Sequence, residues 1–139
     1  MIDIENDVLS HVASRLRASH PGISVDSEYS PEGPASFPAV TMIEADNRIF
    51  ERMRTVKLEN AVRVMYEVNV YSNKTNGKKM EAKKITETLD EAFEELGFTR
   101  TMRNQIPNFK DATIHRIVAR YEATVGPARE EGKYLIYEN

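Results

Sequence analysis

The sequence predicts an α+β domain in which two helices cover one face of a mostly antiparallel β-sheet. Two observations lead to this prediction. Residues 61–72 and 113–125 alternate between apolar and polar side chains, which is typical of strands buried on one face. Residues 2–20 and 80–96 instead repeat apolar side chains at every third or fourth position, which is typical of amphipathic helices.

The first predicted helix, residues 2–20, has acidic side chains at its start and arginines near its end, in the order that the helix dipole favours. Pro21 and Gly22 then stop it. The second predicted helix, residues 80–96, ends at Gly97. Its expected buried stripe consists of Ile85, Leu89, Ala92, Phe93 and Leu96.

The strand at residues 61–72 is the element around which the predicted sheet is organised. At about 3.3 Å per residue it spans about 40 Å, which exceeds the expected width of the core. We therefore expect part of it to overhang and to require a partner. Residues 39–45 and 98–102 predict shorter strands, and residues 104–112 predict a loop because Pro107 disfavours regular pairing.

Two segments are less regular. Residues 46–60 scatter apolar side chains among basic ones, which favours a projecting β-hairpin arm that buries its apolar residues on a neighbour; a short surface helix is the alternative. The chain has 139 residues, which fits a single domain. We assign that domain to residues 1–126 and a C-terminal tail to residues 127–139. Within the tail, residues 134–137 predict either a frayed end or a strand completed by a neighbour.

Composition excludes several classes of protein. The absence of cysteine rules out disulfides and thiolate metal sites. No apolar run approaches the ~20 residues of a membrane span, so we expect a soluble chain that does not enter membranes. The net charge of −3 hides alternating blocks, with residues 1–47 acidic and residues 48–84 basic. Such blocks suit a protein that packs against its own copies or a charged partner.

No catalytic, cofactor-binding or metal-binding motif is recognisable in the sequence. His11, His20 and His115 lie far apart, and His115 is expected to be a hydrogen-bonded residue at a sheet edge. The glycines follow turn and cap positions, without a phosphate-binding loop. The chain is therefore predicted not to be an enzyme and to need no cofactor.

The second helix places its charges against its own dipole. The basic end of this helix consists of Lys78, Lys79, Lys83 and Lys84, and its acidic end of Asp90, Glu91, Glu94 and Glu95. Each exposed charge so placed costs roughly 0.3–1 kcal/mol before screening. Two explanations remain open: pairing of the two ends between copies in a head-to-tail ring, or local screening by the Lys83–Glu87 pair.

Three stretches carry a family resemblance: PAVTMIE at residues 38–44, YEVNVYSNKTNGKK at residues 66–79, and LGFTRTMRNQIPNFKDATIHRIVARYEATV at residues 96–125. In their order and spacing, over about residues 2–125, the sequence resembles tail-completion (tail terminator) proteins of long-tailed bacteriophages and prophages. It is most similar to the versions from Gram-positive hosts. The motifs are structural and contain no active-site signature.

The resemblance implies a ring, commonly a hexamer, that caps the tail tube, ends tail polymerisation and joins the tail to the head connector. It implies a location in the virion tail or neck, after assembly in the host cytoplasm. Partners would be further copies of the chain, the tail-tube protein and the connector proteins, with DNA passing only through the lumen. Another connector or head-completion component is the nearest alternative, followed by a nucleic-acid-binding module.

The side chains expected to contact these partners come from the arm and from both ends of the second helix. They are Arg48, Ile49, Phe50, Arg52, Met53, Arg54 and Lys57 in the arm, Lys78, Lys79, Lys83 and Lys84 at the basic end, and Asp90, Glu91, Glu94 and Glu95 at the acidic end.

Overall fold

The computed structural model describes residues 3–28, 33–49, 61–107, 111–127 and 134–137. Residues 49, 127 and 134–137 are described by their backbone alone. Two helices and six strands follow one another along the chain. They are α1 (Glu5–Ser19), β1 (Ser24–Asp26), β2 (Ala39–Ile49), β3 (Val62–Ser72), α2 (Lys78–Glu95), β4 (Thr99–Ile106), β5 (His115–Pro127) and β6 (Tyr134–Tyr137).

The strands form one mixed sheet in the order β1-β2-β3-β5-β4. The β1–β2 pair is parallel, and the β2–β3, β3–β5 and β4–β5 pairs are antiparallel. β6 pairs with the last residues of β5, beyond the end of β4. The predicted α+β class is therefore confirmed. Within the described residues, neither helix is long and apolar enough to cross a membrane.

Strand β3 lies at the centre of the sheet, with β2 on one side and β5 on the other along its whole length. The side chains of Val62, Val64, Tyr66, Val68 and Val70, which share one face, are all at most 1% exposed. The predicted overhang of this strand is therefore wrong. Neighbouring strands of the same chain satisfy its backbone, and the same chain covers its apolar face.

Both helices contribute their apolar stripes to the same core as that face of β3. In α1 the fully buried side chains recur every fourth residue at Val8, Val12 and Leu16, which places one continuous stripe against the sheet. The matching stripe of α2 includes Ile85 and Leu89. The helices therefore cover one face of the sheet. The opposite face, called the open face below, is not covered by either helix, and near one end residues 33–35 line a cavity together with Thr41 and Tyr71.

Four aromatic side chains fill the core between α2 and the sheet. Phe93 stacks on Tyr121 with ring centroids 4.2 Å apart and planes 7° from parallel. Phe98 meets Phe93 edge-on at 5.4 Å and Tyr66 at 5.7 Å. These rings connect α2 to β3 and β5, so aromatic packing adds to the aliphatic contacts of Ile85 and Leu89 that hold the helix.

Three strands differ from the sequence prediction. β2 runs to Ile49, four residues beyond its predicted end, because a bulge between Glu44 and Asp46 lets its pairing with β3 continue. β4 extends to Ile106, which adds the first three residues of the predicted loop 104–112 to the strand, and stops immediately before Pro107. β6 pairs with β5 of its own chain, so it is neither a frayed end nor a strand that needs a neighbour.

Candidate assembly surfaces

The basic end of α2 lies mostly in solvent. Lys79 and Lys84 are exposed, and the adjacent Met80 is 61% exposed. Lys78 is half-buried and donates a hydrogen bond to the carbonyl oxygen of Ala112 at 2.8 Å. The first turn of the helix has no side-chain cap at Gly77. Of these lysines, only Lys78 forms a hydrogen bond with the described part of its own chain.

His115 begins strand β5 close to these lysines. Burial lowers the pKa of its imidazole below the usual value, and the charges of Lys79 and Lys78 lower it further. Its Nε2 atom is buried and has no hydrogen-bond partner among the described residues. The predicted sheet edge is found only in part. β5 is an inner strand between β3 and β4, but the pairing of β4 ends at Arg116, so His115 pairs with Ser72 of β3 alone.

The acidic end of α2 is largely neutralised within the chain. Glu95 accepts hydrogen bonds from Arg15 at 2.9 Å and contacts His11 at 3.1 Å, and these contacts lower its pKa below the usual value. Arg15 also reaches Glu91 at 3.3 Å. Because α1 supplies these partners, the acidic end of α2 is compensated by a second helix and not by residues of α2 itself.

Asp90 is held by two groups from the sheet. It accepts hydrogen bonds from the hydroxyl of Tyr121 and from the guanidinium of Arg100, both at 2.6 Å. Glu94 is exposed and has no partner in the described part of the chain. Of the acidic end, Glu94 therefore keeps its charge most available to another molecule.

The open face carries a ladder of polar pairs between β3 and β5 that the sequence analysis did not predict. Arg116 donates two hydrogen bonds to the amide oxygen of Asn69, at 2.7 and 2.9 Å, and its guanidinium lies 5.6 Å from the ring centre of Tyr71. Arg120 similarly donates to Glu67 at 3.1 and 3.2 Å. The Arg120–Glu67 pair joins opposite charges, whereas Arg116 keeps its positive charge because Asn69 is neutral, so the open face presents a hydrogen-bonded polar surface.

Two edges of the sheet remain open within the described residues. Strand β1 covers only residues 39–41 of β2, which leaves residues 42–49 without a second strand. Strand β4 pairs only with β5. Each of these edge strands contains a bulge, between Glu44 and Asp46 in β2 and between Arg100 and Met102 in β4. Bulges and charges limit indiscriminate pairing, so these edges suit a specific partner.

The predicted arm begins on one of these edges. Its first residues belong to β2, where Arg48 is opposite Arg63 and Ile49 is opposite Val62. The Arg48 side chain is 61% exposed and forms an ion pair with Asp46. Phe50, Arg52, Met53, Arg54 and Lys57 lie outside the described residues. The hairpin shape of the arm therefore stays a prediction.

Removing the hydroxyl of Tyr66 or of Tyr121, the two fully buried tyrosines, is expected to have different effects on stability. Tyr121→Phe removes the bond to Asp90, and we expect a loss of about 1–2 kcal/mol in the free energy of unfolding. Tyr66→Phe removes a buried hydroxyl that has no partner among the described residues, so stability should be unchanged or higher. Urea denaturation measures the free energy of unfolding of both variants, with a chelator present so that no metal ion contributes to it. Equal losses in the two variants would contradict the difference in hydrogen bonding.

Comparisons with known proteins indicate a fold but no family. No family model matches the sequence, and no curated protein matches it. Among solved structures, the chain is similar to a chain from the virion of a native gene transfer agent particle, with a TM-score of 0.63 and 14% sequence identity. The match covers 91% of this chain and 100% of that chain. The protein thus shares its fold, nearly end to end, with a component of a virion.

Proposed function

We propose that the protein is a structural component of a phage-like virion and acts as a tail terminator. It caps the tail tube as a ring, ends tail polymerisation and offers a surface to the head connector. It works by assembly and not by catalysis. The observation that carries this proposal is the fold shared with a whole chain of a virion particle. The resemblance of residues 2–125 to tail-completion proteins supports the finer assignment.

The surfaces described above suggest how copies meet in such a ring. A ring needs two different patches on each copy, so that one patch contacts the other on the next copy. The exposed basic end of α2 supplies one patch. Since Asp90, Glu91 and Glu95 are paired internally, the complementary charge comes from Glu94 and from the acidic N-terminal third of the chain. The open sheet edges and the arm supply the remaining contacts.

The ring is commonly a hexamer in the family that the sequence resembles, and we propose the same here. The tail-tube protein would bind one side of the ring and the connector proteins the other. DNA would pass through the lumen without specific recognition. Assembly would take place in the cytoplasm of the host bacterium.

Electron microscopy of particles made without this protein tests the proposal. Overlong tails are expected, because nothing would stop polymerisation of the tube. Tails of normal length that fail to join heads would instead assign the protein to the connector, and normal infectious particles would contradict any structural role. Complementation by the unaltered gene is the control. Salt-sensitive DNA binding by the purified protein would favour the nucleic-acid-binding alternative.

A further inference from the structure

Three carboxylates that are distant in sequence meet at the start of α1. Asp3 precedes the helix, Glu5 opens it, and Glu44 lies in β2 just before the bulge. One oxygen atom from each of these residues lies within 4.8 Å of the others. Three like charges at this separation repel one another unless a proton or a cation reduces the charge.

The described residues supply little compensation for this charge. The side-chain amide of Asn47 donates one hydrogen bond to Glu44 at 2.8 Å, and the backbone N–H of Glu5 donates one to Asp3 at 3.1 Å. The nearest cation along β2, Arg48, is paired with Asp46 instead. The cluster is thus short of positive charge.

A second observation at the same place concerns Tyr66. Its side chain is 0% exposed, and its hydroxyl has no hydrogen-bond partner among the described residues. Glu44 is its direct cross-strand neighbour. Directly opposite residues of an antiparallel pair project to the same side of the sheet, so the side chains of Tyr66 and Glu44 are neighbours on one face. A buried hydroxyl without a partner therefore lies beside a member of the carboxylate cluster, although such groups nearly always have a partner.

We propose that Asp3, Glu5 and Glu44 bind a hard divalent cation, with Ca²⁺ preferred. Carboxylate oxygens are the ligands that Ca²⁺ and Mg²⁺ take. Bonds of about 2.3–2.6 Å to Ca²⁺ bring the oxygens on one ion to within about 5 Å of one another, which agrees with the observed cluster. Water completes the coordination, and the hydroxyl of Tyr66 bonds to one of these waters or to a coordinating carboxylate.

The charge balance of the site favours a divalent ion. The positive end of the α1 dipole is equivalent to about half a unit charge, which is small beside three carboxylates. Ca²⁺ tolerates irregular geometry from ligands on separate segments, whereas Mg²⁺ requires a near-octahedral arrangement. The bound ion would tie the first turn of α1 to β2 at the bulge where the predicted arm begins. The ion would also reduce the negative charge of the acidic N-terminal third of the chain, but its binding can be tested without assembly of the proposed ring.

Calorimetric titration of the metal-free full-length protein with calcium chloride tests the site. We expect one Ca²⁺ per chain with a Kd below about 1 mM, within the range of weak protein calcium sites. Glu44→Gln and Asp3→Asn should each raise the Kd at least about tenfold. The matched control Glu87→Gln, an exposed residue of α2, should change it less than about twofold. Magnesium chloride in a parallel titration should bind more weakly.

Terbium luminescence provides a readout that locates the ion. Tb³⁺ replaces Ca²⁺ and emits when a nearby tyrosine is excited, so Tyr66→Phe should remove most of the emission. The control Tyr121→Phe, which alters the other fully buried tyrosine, should retain it. Thermal unfolding in a chelator first establishes that each variant is folded, and Ca²⁺ should then raise the Tm of the original protein but not of Glu44→Gln.

Three results would each overturn the proposal. The first is the absence of any heat of binding at about 10 mM Ca²⁺, together with a higher stability of Glu44→Gln than of the original protein. The carboxylates would then share a proton and not bind an ion. The second is equal Kd values for Glu44→Gln and Glu87→Gln. The third is unchanged terbium emission after Tyr66→Phe.

Discussion

Phe93→Ala is expected to lower the free energy of unfolding by about 3–5 kcal/mol, the usual cost of truncating a buried phenylalanine. The side chain of Phe93 is 0% exposed and contacts three other rings, those of Tyr66, Phe98 and Tyr121. Each aromatic pair adds about 0.5–1.5 kcal/mol beyond the area that it buries. The substitution leaves a cavity between α2 and the two central strands, so the helix loses its aromatic contacts with the sheet.

Urea denaturation followed by far-ultraviolet circular dichroism measures this loss. Met80→Ala is the control on the same helix, because Met80 is 61% exposed and its truncation should change stability by no more than about 0.5 kcal/mol. Phe93→Leu retains part of the volume and should give an intermediate loss. A change below about 1 kcal/mol for Phe93→Ala would mean that the aromatic cluster does not hold α2.

The elements that could be predicted from the sequence are those with a strong local period. The period of two in residues 61–72 and 113–125 identified β3 and β5, since a sheet with one covered face requires that alternation. The stripes of α1 and α2 were equally clear, because each helix buries one side. The ends of these elements were less certain, because caps and turns depend on a few side chains.

The arrangement of strands could not be predicted, because pairing is a long-range property. Nothing local in residues 61–72 indicates that β5 lies beside β3, and this neighbour removes the overhang that we expected. β4 is longer than the predicted strand 98–102, because Pro107 ends the strand without disrupting the residues that precede it. In the structure, β4 simply ends at Ile106.

The candidate surfaces could likewise be predicted where they depend on a local pattern, but not where they depend on contacts between distant residues. The pattern of α2 predicted exposed lysines at the basic end; Lys79 and Lys84 are exposed, and Lys78 and Lys83 are half-buried. The partners of the acidic end were missed, because Arg15 contacts Glu95 across 80 residues of sequence. The carboxylate cluster was missed for the same reason, since it joins α1 to β2. Contacts between elements are therefore the part of the site that could not be predicted from the sequence.

Replacing residues 50–60 by a short glycine-containing turn is expected to leave a folded protein that no longer assembles on tail-tube protein. The hairpin of β2 and β3 should survive, because its pairing extends to Ile49 and Val62 and lies outside the deletion. The deleted segment contains Phe50 and Met53 together with basic side chains. We propose that a neighbouring molecule buries these apolar groups, and their loss would remove that contact.

Light scattering of the protein alone and mixed with tail-tube protein measures assembly, and the Tm of the variant should stay within a few degrees of the original. The triple variant Arg52→Ser, Arg54→Ser, Lys57→Ser is the matched control, because it removes the positive charge of the segment but keeps its apolar side chains. Assembly by this control and not by the deletion would attribute the contact to apolar burial, whereas failure of both would attribute it to charge. Undiminished assembly by the deletion variant would exclude the arm from the interface and leave the open edges of β2 and β4 as the surfaces that join copies.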